Sequence, residues 1–93
     1  MSVSVKVRVP SLLKKKLPQG QDALEVEATT PLECLHALEP LDPKMRKWLY
    51  DEKGEIRAQV WFFINGERIQ ADELTRALSD GDEVSILLAV SGG

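Results

Sequence analysis

The amino-acid sequence predicts an α+β domain in which one mixed β-sheet packs against one main helix. Residues alternate between apolar and polar near both ends of the chain, over 2–9 and 84–88, with the period of a half-buried strand. Between these stretches lie a helix-start signal near residue 30 and an apolar run over 59–64. A chain of 93 residues supports one domain, 1–93, with one modest core.

Two predicted strands open the chain. Every second residue over 3–9 is valine, separated by serine, lysine or arginine, and Pro10 ends this strand. Apolar residues again alternate with glutamate over 24–28. Because the connection contains the turn residues Pro18 and Gly20, we expect an antiparallel hairpin.

The helix-start signal spans three residue types with separate roles. Thr30 suits the N-cap, Pro31 suits the first helical position, and Glu33 is placed to close a capping box. Leucines follow at helical spacing, and Pro40 is expected to stop the helix. Asp42-Pro43 predicts a second, short helical segment that has apolar residues on one face, namely Met45, Trp48 and Leu49.

The second half of the chain predicts three more strands. After a turn at 51–54, the apolar run over 59–64 ends at Asn65-Gly66, a strong signal for a two-residue hairpin with a short returning strand at 67–69. A polar connection and a turn at 79–82 lead to the last strand, 84–88. The resulting element order is compatible with a β-grasp fold, whose first and last strands lie parallel at the centre of the sheet. Other small α+β arrangements remain open at this step.

The inventory of catalytic side chains is small. A single cysteine excludes a disulfide framework and a zinc site made of cysteines alone, and one histidine cannot supply the usual ligands of catalytic zinc. Cys34 and His36 lie two residues apart, which on a helix points them about 200° apart, so they cannot form a nucleophile–base pair. Asp80 and Asp82 flank Gly81, and we interpret them as turn residues. We therefore expect no metal site, no bound cofactor and no enzymatic activity of the chain alone.

Charge and hydropathy limit the partners. Residues 1–20 hold five Lys and Arg and no acid, whereas residues 67–93 hold six Asp and Glu against two Arg. The acidic end argues against nucleic acid and favours a basic protein partner. No apolar stretch is long enough for a membrane span, and the N-terminus lacks a signal-peptide core, so we expect a cytoplasmic protein without a membrane partner.

The aromatic residues indicate a contact surface. Four of the five are Trp48, Trp61, Phe62 and Phe63. Three of them lie in a row on one strand and exceed what one face of that strand can bury. We therefore expect at least one of Trp61 and Phe63 on one side, or Phe62 on the other, to face a partner.

The end of the chain, 89–93, carries the remaining chemistry. After Ala89, Val90 and Ser91, the glycines Gly92 and Gly93 form an extended end without Cβ atoms that can enter a narrow channel. The only reactive group there is the α-carboxylate of Gly93, which becomes an acyl donor when a nucleoside triphosphate adenylates it. A flexible terminus or a cloning remnant is the alternative at this point.

The last fifteen residues, SDGDEVSILLAVSGG, resemble the C-terminus of the ubiquitin-like sulfur carriers, the family of the molybdopterin synthase small subunit (MoaD) and the thiamine-pathway carrier (ThiS). The matching positions are Asp80, Gly81, Asp82, Val84, Ile86, Val90, Gly92 and Gly93. Leu88 stands where many relatives carry proline. The stretch 43–55 makes the middle of the chain longer than in the shortest thiamine-type carriers, and the length is similar to molybdopterin-type and cysteine-pathway carriers.

The resemblance implies a β-grasp fold with a C-terminal tail at 89–93 and a sulfur-carrier function. An E1-like enzyme would use ATP to adenylate Gly93, and a sulfur donor would then form a thiocarboxylate there. Gly92 and the residues 89–91 would enter the partner, and Trp61 and Phe63 would contact it. The resemblance favours the small subunit of molybdopterin synthase in molybdenum cofactor biosynthesis, with the synthase large subunit as sulfur-accepting partner.

Other functions share the same activation chemistry. The chain could carry sulfur for cysteine, thiamine or tRNA thiolation, or it could be a ubiquitin-like modifier that forms isopeptide bonds through Gly93. A plain interaction domain with an inert end is disfavoured, because it gives no reason for Gly-Gly after this turn and strand.

Overall fold

The computed structural model describes residues 2–10, 17 and 21–88, and these residues form five strands and two short α-helices. In chain order the elements are β1 (Val3–Arg8), β2 (Ala23–Ala28), α1 (Pro31–His36), α2 (Met45–Leu49), β3 (Val60–Ile64), β4 (Glu67–Ile69) and β5 (Glu83–Leu88). Short 3-10 turns occupy Glu39–Leu41 and Ala71–Glu73. No helix of these described residues has the length and apolarity needed to cross a membrane.

The five strands form one mixed sheet in the order β2-β1-β5-β3-β4. The central strands β1 and β5 are parallel, and the other neighbouring strands are antiparallel. A parallel pair needs a long crossover connection, and the helices and β3–β4 lie within that connection. This topology confirms the predicted α+β class and the predicted β-grasp arrangement.

The core lies on one face of the sheet. The alternation of residues places Val7 of β1, Ile86 of β5 and Phe62 of β3 on that face, all of them buried. Leu35 of α1 and Met45 of α2 are fully buried in the same cluster. Because side chains alternate between the two faces of a strand, a register slip of one residue would expose this whole set.

The start of α1 follows the predicted cap. The Thr30 hydroxyl accepts a hydrogen bond from the Glu33 N–H at 3.3 Å, and Pro31 is the first helical residue. The Glu33 carboxylate accepts from the N–H of Thr29 at 2.7 Å, one residue earlier than in a standard capping box. The first of these hydrogen bonds satisfies an N–H group that the first turn of a helix leaves without a partner, and the second ties the residue before the cap to the helix.

The end of α1 differs from the prediction. The helix ends at His36, and Pro40 lies inside the 3-10 turn instead of stopping α1. The Leu38 N–H donates to the Leu35 carbonyl, which is 3-10 spacing. Proline fits the first positions of such a turn because no N–H is needed there. The proline ring also disfavours the α conformation of the residue before it.

The second helical segment confirms the predicted apolar face, but α2 starts at Met45 with Lys44 as N-cap, so Asp42 and Pro43 are not the predicted N-cap and first-turn proline. Met45 and Leu49 are buried on one face of α2, and Trp48 is half-buried beside them. Before the helix, the Asp42 carboxylate accepts a hydrogen bond from the Lys44 N–H at 2.8 Å. This hydrogen bond holds the turn that leads into α2.

Candidate functional site

The predicted reactive residues, Gly92 and Gly93, lie outside the described residues together with Ala89, Val90 and Ser91. The sheet fixes the point from which they continue. Leu88, the last described residue, ends the central strand β5 and lies opposite Val60 of β3.

The sheet face opposite the helices, called the open face below, carries an apolar patch beside this point. Trp61 and Phe63 lie on it, half-buried, and Leu87 lies directly opposite Trp61. Leu87 is 43% exposed, the largest exposure of a bulky hydrophobic residue in the described part of the chain. We call Trp61, Phe63 and Leu87 the apolar patch.

The patch agrees with the predicted arrangement of the aromatic residues. Trp61 and Phe63 share the open face, whereas Phe62 points into the core and is only 4% exposed. That Trp61 and Phe63 contact a partner stays a prediction. Leu87 was not predicted as part of the surface, although its place in an alternating strand, between fully buried Ile86 and partly buried Leu88, signals it.

Arg68 covers part of the patch and was not predicted from the sequence. Its guanidinium carbon lies 3.9 Å from the centre of the Trp61 ring, a cation–π arrangement. The register explains the contact, because Arg68 lies opposite Phe63, which places it diagonally next to Trp61. The two-residue turn at Asn65-Gly66 encodes this register in the sequence.

The other side of the patch is polar. Arg8 donates through Nε to Glu83 at 2.9 Å and through a terminal nitrogen to Asp22 at 3.0 Å. The hydrogen bond and charge of Glu83, and then the charge of Asp22, raise the pKa of the Arg8 guanidinium. Arg8 borders a cavity of about 330 Å³ whose other walls include Phe63, Ser85 and Leu87. The open face can therefore accept about one large side chain from a partner.

The acidic turn before β5 is structural. The Asp80 carboxylate accepts from the Ser4 N–H at 2.9 Å, and Asp82 accepts from the Ser79 N–H at 2.9 Å and from the Asn65 side chain at 3.1 Å. The hydrogen bond from Ser79, and then the one from Asn65, lower the pKa of Asp82. This confirms the interpretation of both aspartates as turn residues.

The lowered pKa of Asp82 predicts acid sensitivity. A carboxyl group whose folded pKa lies below its unfolded value of about 3.8 stabilises the fold above that value and loses the contribution as the pH falls through the folded pKa. We expect Asp82→Ala to lower the free energy of unfolding at pH 7 by about 1 kcal/mol. The difference from wild type should shrink below pH 4. Urea unfolding at several pH values measures both effects.

The control for this experiment is Asp72→Ala. Asp72 is an exposed carboxylate on the 3-10 turn before β5, and its substitution changes the net charge equally. An equal loss of stability in the two variants would show that net charge, and not the turn, causes the effect.

The single cysteine does not provide a nucleophile. Cys34 is fully buried on α1, and burial followed by the charge of Glu33 raises the pKa of its thiol to about 11. His36 is exposed on the same helix. Within residues 2–10, 17 and 21–88, no three His, Cys, Asp or Glu residues converge as metal ligands.

A cleft of about 550 Å³ beside α2 is lined mainly by charged side chains, and Glu39 at its wall is paired with two of its neighbours. The Tyr50 hydroxyl donates to Glu39 at 2.9 Å, and Arg46 donates to the same carboxylate at 3.2 Å. Burial, and then the hydrogen bond to Glu39, raise the pKa of Tyr50 to about 12. This pairing holds Glu39, Arg46 and Tyr50 in structural hydrogen bonds.

Sequence relatives point to one family. The ThiS family profile matches residues 7–93. A protein of Archaeoglobus fulgidus named "Putative sulfur carrier protein" is 28% identical over 92 residues, which cover 98% of this chain and 100% of that protein.

Solved structures share the fold. Small archaeal modifier protein 1 of Methanosarcina acetivorans has 28% identity and a TM-score of 0.76, over 100% of this chain and 99% of the other. A chain of the Amycolatopsis orientalis BexX/CysO complex has 27% identity and a TM-score of 0.70, over 96% of this chain and 99% of the other. The Pyrococcus furiosus protein named "Putative molybdopterin converting factor, subunit 1" covers 96% of this chain with a TM-score of 0.64, but its 23% identity shows likeness in fold alone.

The family match spans residues 7–93, from the end of β1 onward, and the topology is that of the ubiquitin-like relatives. The chain therefore belongs to the ThiS family of ubiquitin-like sulfur carriers.

Proposed function

We propose that this chain carries sulfur on its C-terminal residue, Gly93. In the first step the Gly93 carboxylate attacks the α-phosphorus of ATP on an E1-like enzyme, which releases pyrophosphate and forms an acyl-adenylate. In the second step a hydrosulfide-type sulfur donor displaces AMP and leaves a thiocarboxylate. The observation that carries this proposal is the Gly92-Gly93 end, which follows the central strand β5 in a chain of the ThiS family.

The side chains of this chain indicate which steps the partner enzyme has to carry out. Its single cysteine is buried and protonated at neutral pH, and its acidic turn is committed to hydrogen bonds. We therefore place ATP binding and side-chain catalysis in the partner enzyme and assign no bound cofactor to this chain. Because the reaction consumes ATP, we propose that it takes place in the cytoplasm.

The open face supports a docking role in this proposal. The apolar patch lies at the end of β5 from which residues 89–93 continue. A partner that covers Trp61, Phe63 and Leu87 would bury apolar surface there. The residues Ala89, Val90 and Ser91 would then connect the docked domain to Gly93 in the partner's active site.

The sulfur acceptor defines the finer proposal. We propose a MoaD-type carrier, for which the acceptor is the molybdopterin synthase large subunit. The chain length over 43–55 is similar to that of molybdopterin-type and of cysteine-pathway carriers. Two alternatives are supported by relatives of higher identity. The similarity to small archaeal modifier protein 1 supports protein modification through Gly93, and the similarity to the BexX/CysO complex supports another sulfur pathway, such as cysteine synthesis.

Intact-mass measurement tests the proposal. The chain is produced together with the E1-like enzyme of its own organism in sulfur-replete cells, and its mass is compared with that of the chain produced alone. We expect a fraction in which sulfur replaces one oxygen, localised to Gly93 by fragmentation. Heavier species in which Gly93 is linked to lysine would favour the modifier function instead. A chain that stays unmodified with an active E1-like enzyme would contradict both functions.

A further inference from the structure

We propose that Arg68 determines partner specificity on the open face by binding a carboxylate of the protein that docks on the apolar patch. This inference rests on the proposed function, in which the first such protein is the E1-like adenylating enzyme. Arg68 is a docking residue in this proposal, because β4 places it on the sheet and not on the chain end that reacts.

Arg68 differs from the other arginines of the described residues in its contacts. Arg8, Arg46 and Arg76 each form an ion pair with a carboxylate of this chain. Arg57 donates to the Lys47 carbonyl at 2.8 Å. Within residues 2–10, 17 and 21–88, Arg68 instead lies over the face of the Trp61 ring. Its positive charge is therefore not neutralised by a described acidic side chain.

The position over Trp61 prepares the guanidinium for a carboxylate. A guanidinium stacked on a ring keeps its N–H donors at its planar edge, and this fork matches the two oxygens of a carboxylate. The ring also restricts the side chain before binding, which lowers the entropy lost when the complex forms. A partner that covers Phe63 and Leu87 would exclude water from the pair and strengthen it.

The charges on the rest of the open face favour one orientation of the docked partner. At the β1–β2 side, Arg8 is shared by Asp22 and Glu83, so negative charge is in excess there. Glu25 lies opposite Lys6 on the same side, which adds no net positive charge. The face is therefore positive at Arg68 and negative across the patch. A partner with a carboxylate over Arg68 and a basic group over Glu83 would dock in one orientation, because the reverse places like charges together.

The test compares two arginine variants that remove the same charge. Arg68→Gln removes the proposed contact, and Arg76→Gln removes an exposed arginine that pairs with Glu73 outside the strands. ATP–pyrophosphate exchange by the organism's E1-like enzyme is measured with each carrier as the varied substrate. We expect Arg68→Gln to raise KM roughly tenfold or more with kcat unchanged, since it removes binding that does not change during the reaction. Arg76→Gln should keep the wild-type KM.

Two further measurements separate docking from a structural effect. Arg68→Lys keeps the charge but loses the planar fork, so its KM should lie between those of wild type and Arg68→Gln. Raising the salt concentration should weaken wild-type binding more than that of Arg68→Gln. Equal urea unfolding curves for all variants would show that the fold is intact.

Several outcomes would overturn the inference. A wild-type KM and salt dependence in Arg68→Gln would show that Arg68 does not contact the partner. A fall in kcat alone would place Arg68 in the reaction instead of in docking. A lower KM would show that Arg68 opposes binding of the partner. If wild type supports no exchange, the proposed function fails and this inference fails with it.

Discussion

Deletion of Gly93 is expected to abolish adenylation of this chain while its free energy of unfolding stays unchanged. The deletion moves the terminal carboxylate back by one residue, about 3.5 Å along an extended chain. A misplacement of only 1 Å at a reacting atom can cost about a hundredfold in rate. Addition of one glycine after Gly93 should have an equally large effect, because it converts the reactive carboxylate into an amide.

The stability part of this prediction follows from where the core lies. The buried cluster is formed by residues of the sheet, the two helices and their connections, and β5 ends at Leu88. Urea unfolding should therefore give the same midpoint and slope for the wild type and both variants. The matched control is one glycine added before Met1, which changes length and composition equally and should leave ATP–pyrophosphate exchange at the wild-type rate.

Two results would contradict this prediction. Exchange at the wild-type rate without Gly93 would show that the acyl group that reacts lies elsewhere. A loss of more than about 1 kcal/mol in the free energy of unfolding would show that the chain end packs on the domain, since surface changes usually alter stability by less than that. Intact mass of the wild-type protein, measured first, establishes which residue ends the mature chain.

Local signals predicted most of the elements. The Thr30 hydroxyl and Pro31 act within one helical turn, and the Asn65-Gly66 turn depends on its own backbone, with Asn65 at φ 51° and Gly66 at φ 87°. Each of these signals is contained in a few neighbouring residues. The period-2 pattern of β1 and β5 predicted two strands with one buried face each, and both lie at the centre of the sheet.

The features that were missed depend on contacts between distant residues. The Arg8–Glu83 hydrogen bond joins residues 75 positions apart, so neither residue shows it in its own neighbourhood. Arg68 reaches Trp61 only because the hairpin register places it diagonally across β3. The end of α1 at His36 was not predicted, because leucines continue at helical spacing up to Leu38. In the structure the Leu38 N–H already donates with 3-10 spacing, just before the turn that contains Pro40.

The sulfur acceptor was not predictable for a different reason. The chemistry that distinguishes a pterin, cysteine or protein acceptor is carried out by side chains of other proteins. In the proposed function this chain contributes a carboxylate at Gly93 and a docking face, and both are common to all of these alternatives. Only residues that contact the acceptor can encode the choice.

Ile86→Ala and Leu87→Ala are expected to separate folding from docking on two neighbouring residues of β5. Ile86 is fully buried between β1 and β3, whereas Leu87 points to the open face and is 43% exposed. Truncation of a buried isoleucine removes its transfer free energy and leaves a cavity, so we expect Ile86→Ala to lower the free energy of unfolding by about 2–5 kcal/mol. A domain of this size is stable by roughly 5–15 kcal/mol, so this is a large fraction of the total.

Leu87→Ala should have the opposite profile. It leaves the core packing intact, so its free energy of unfolding should fall by less than about 1 kcal/mol. The KM of the E1-like enzyme for the Leu87→Ala carrier in ATP–pyrophosphate exchange should rise several-fold to tenfold, because an apolar anchor at the centre of the patch is lost. Ile86→Ala, assayed at a temperature at which it stays folded by circular dichroism, should keep the wild-type KM.

The two variants together distinguish a docking face from an ordinary sheet surface. A loss of stability in Leu87→Ala equal to that in Ile86→Ala would place Leu87 in the core and contradict the exposed patch. A wild-type KM in Leu87→Ala would show that the partner binds elsewhere, and the exposed position of Leu87 would then have no part in docking. The expected pattern, one variant changed in stability and its neighbour changed in KM, follows only if a partner covers the face of the sheet that the helices leave open.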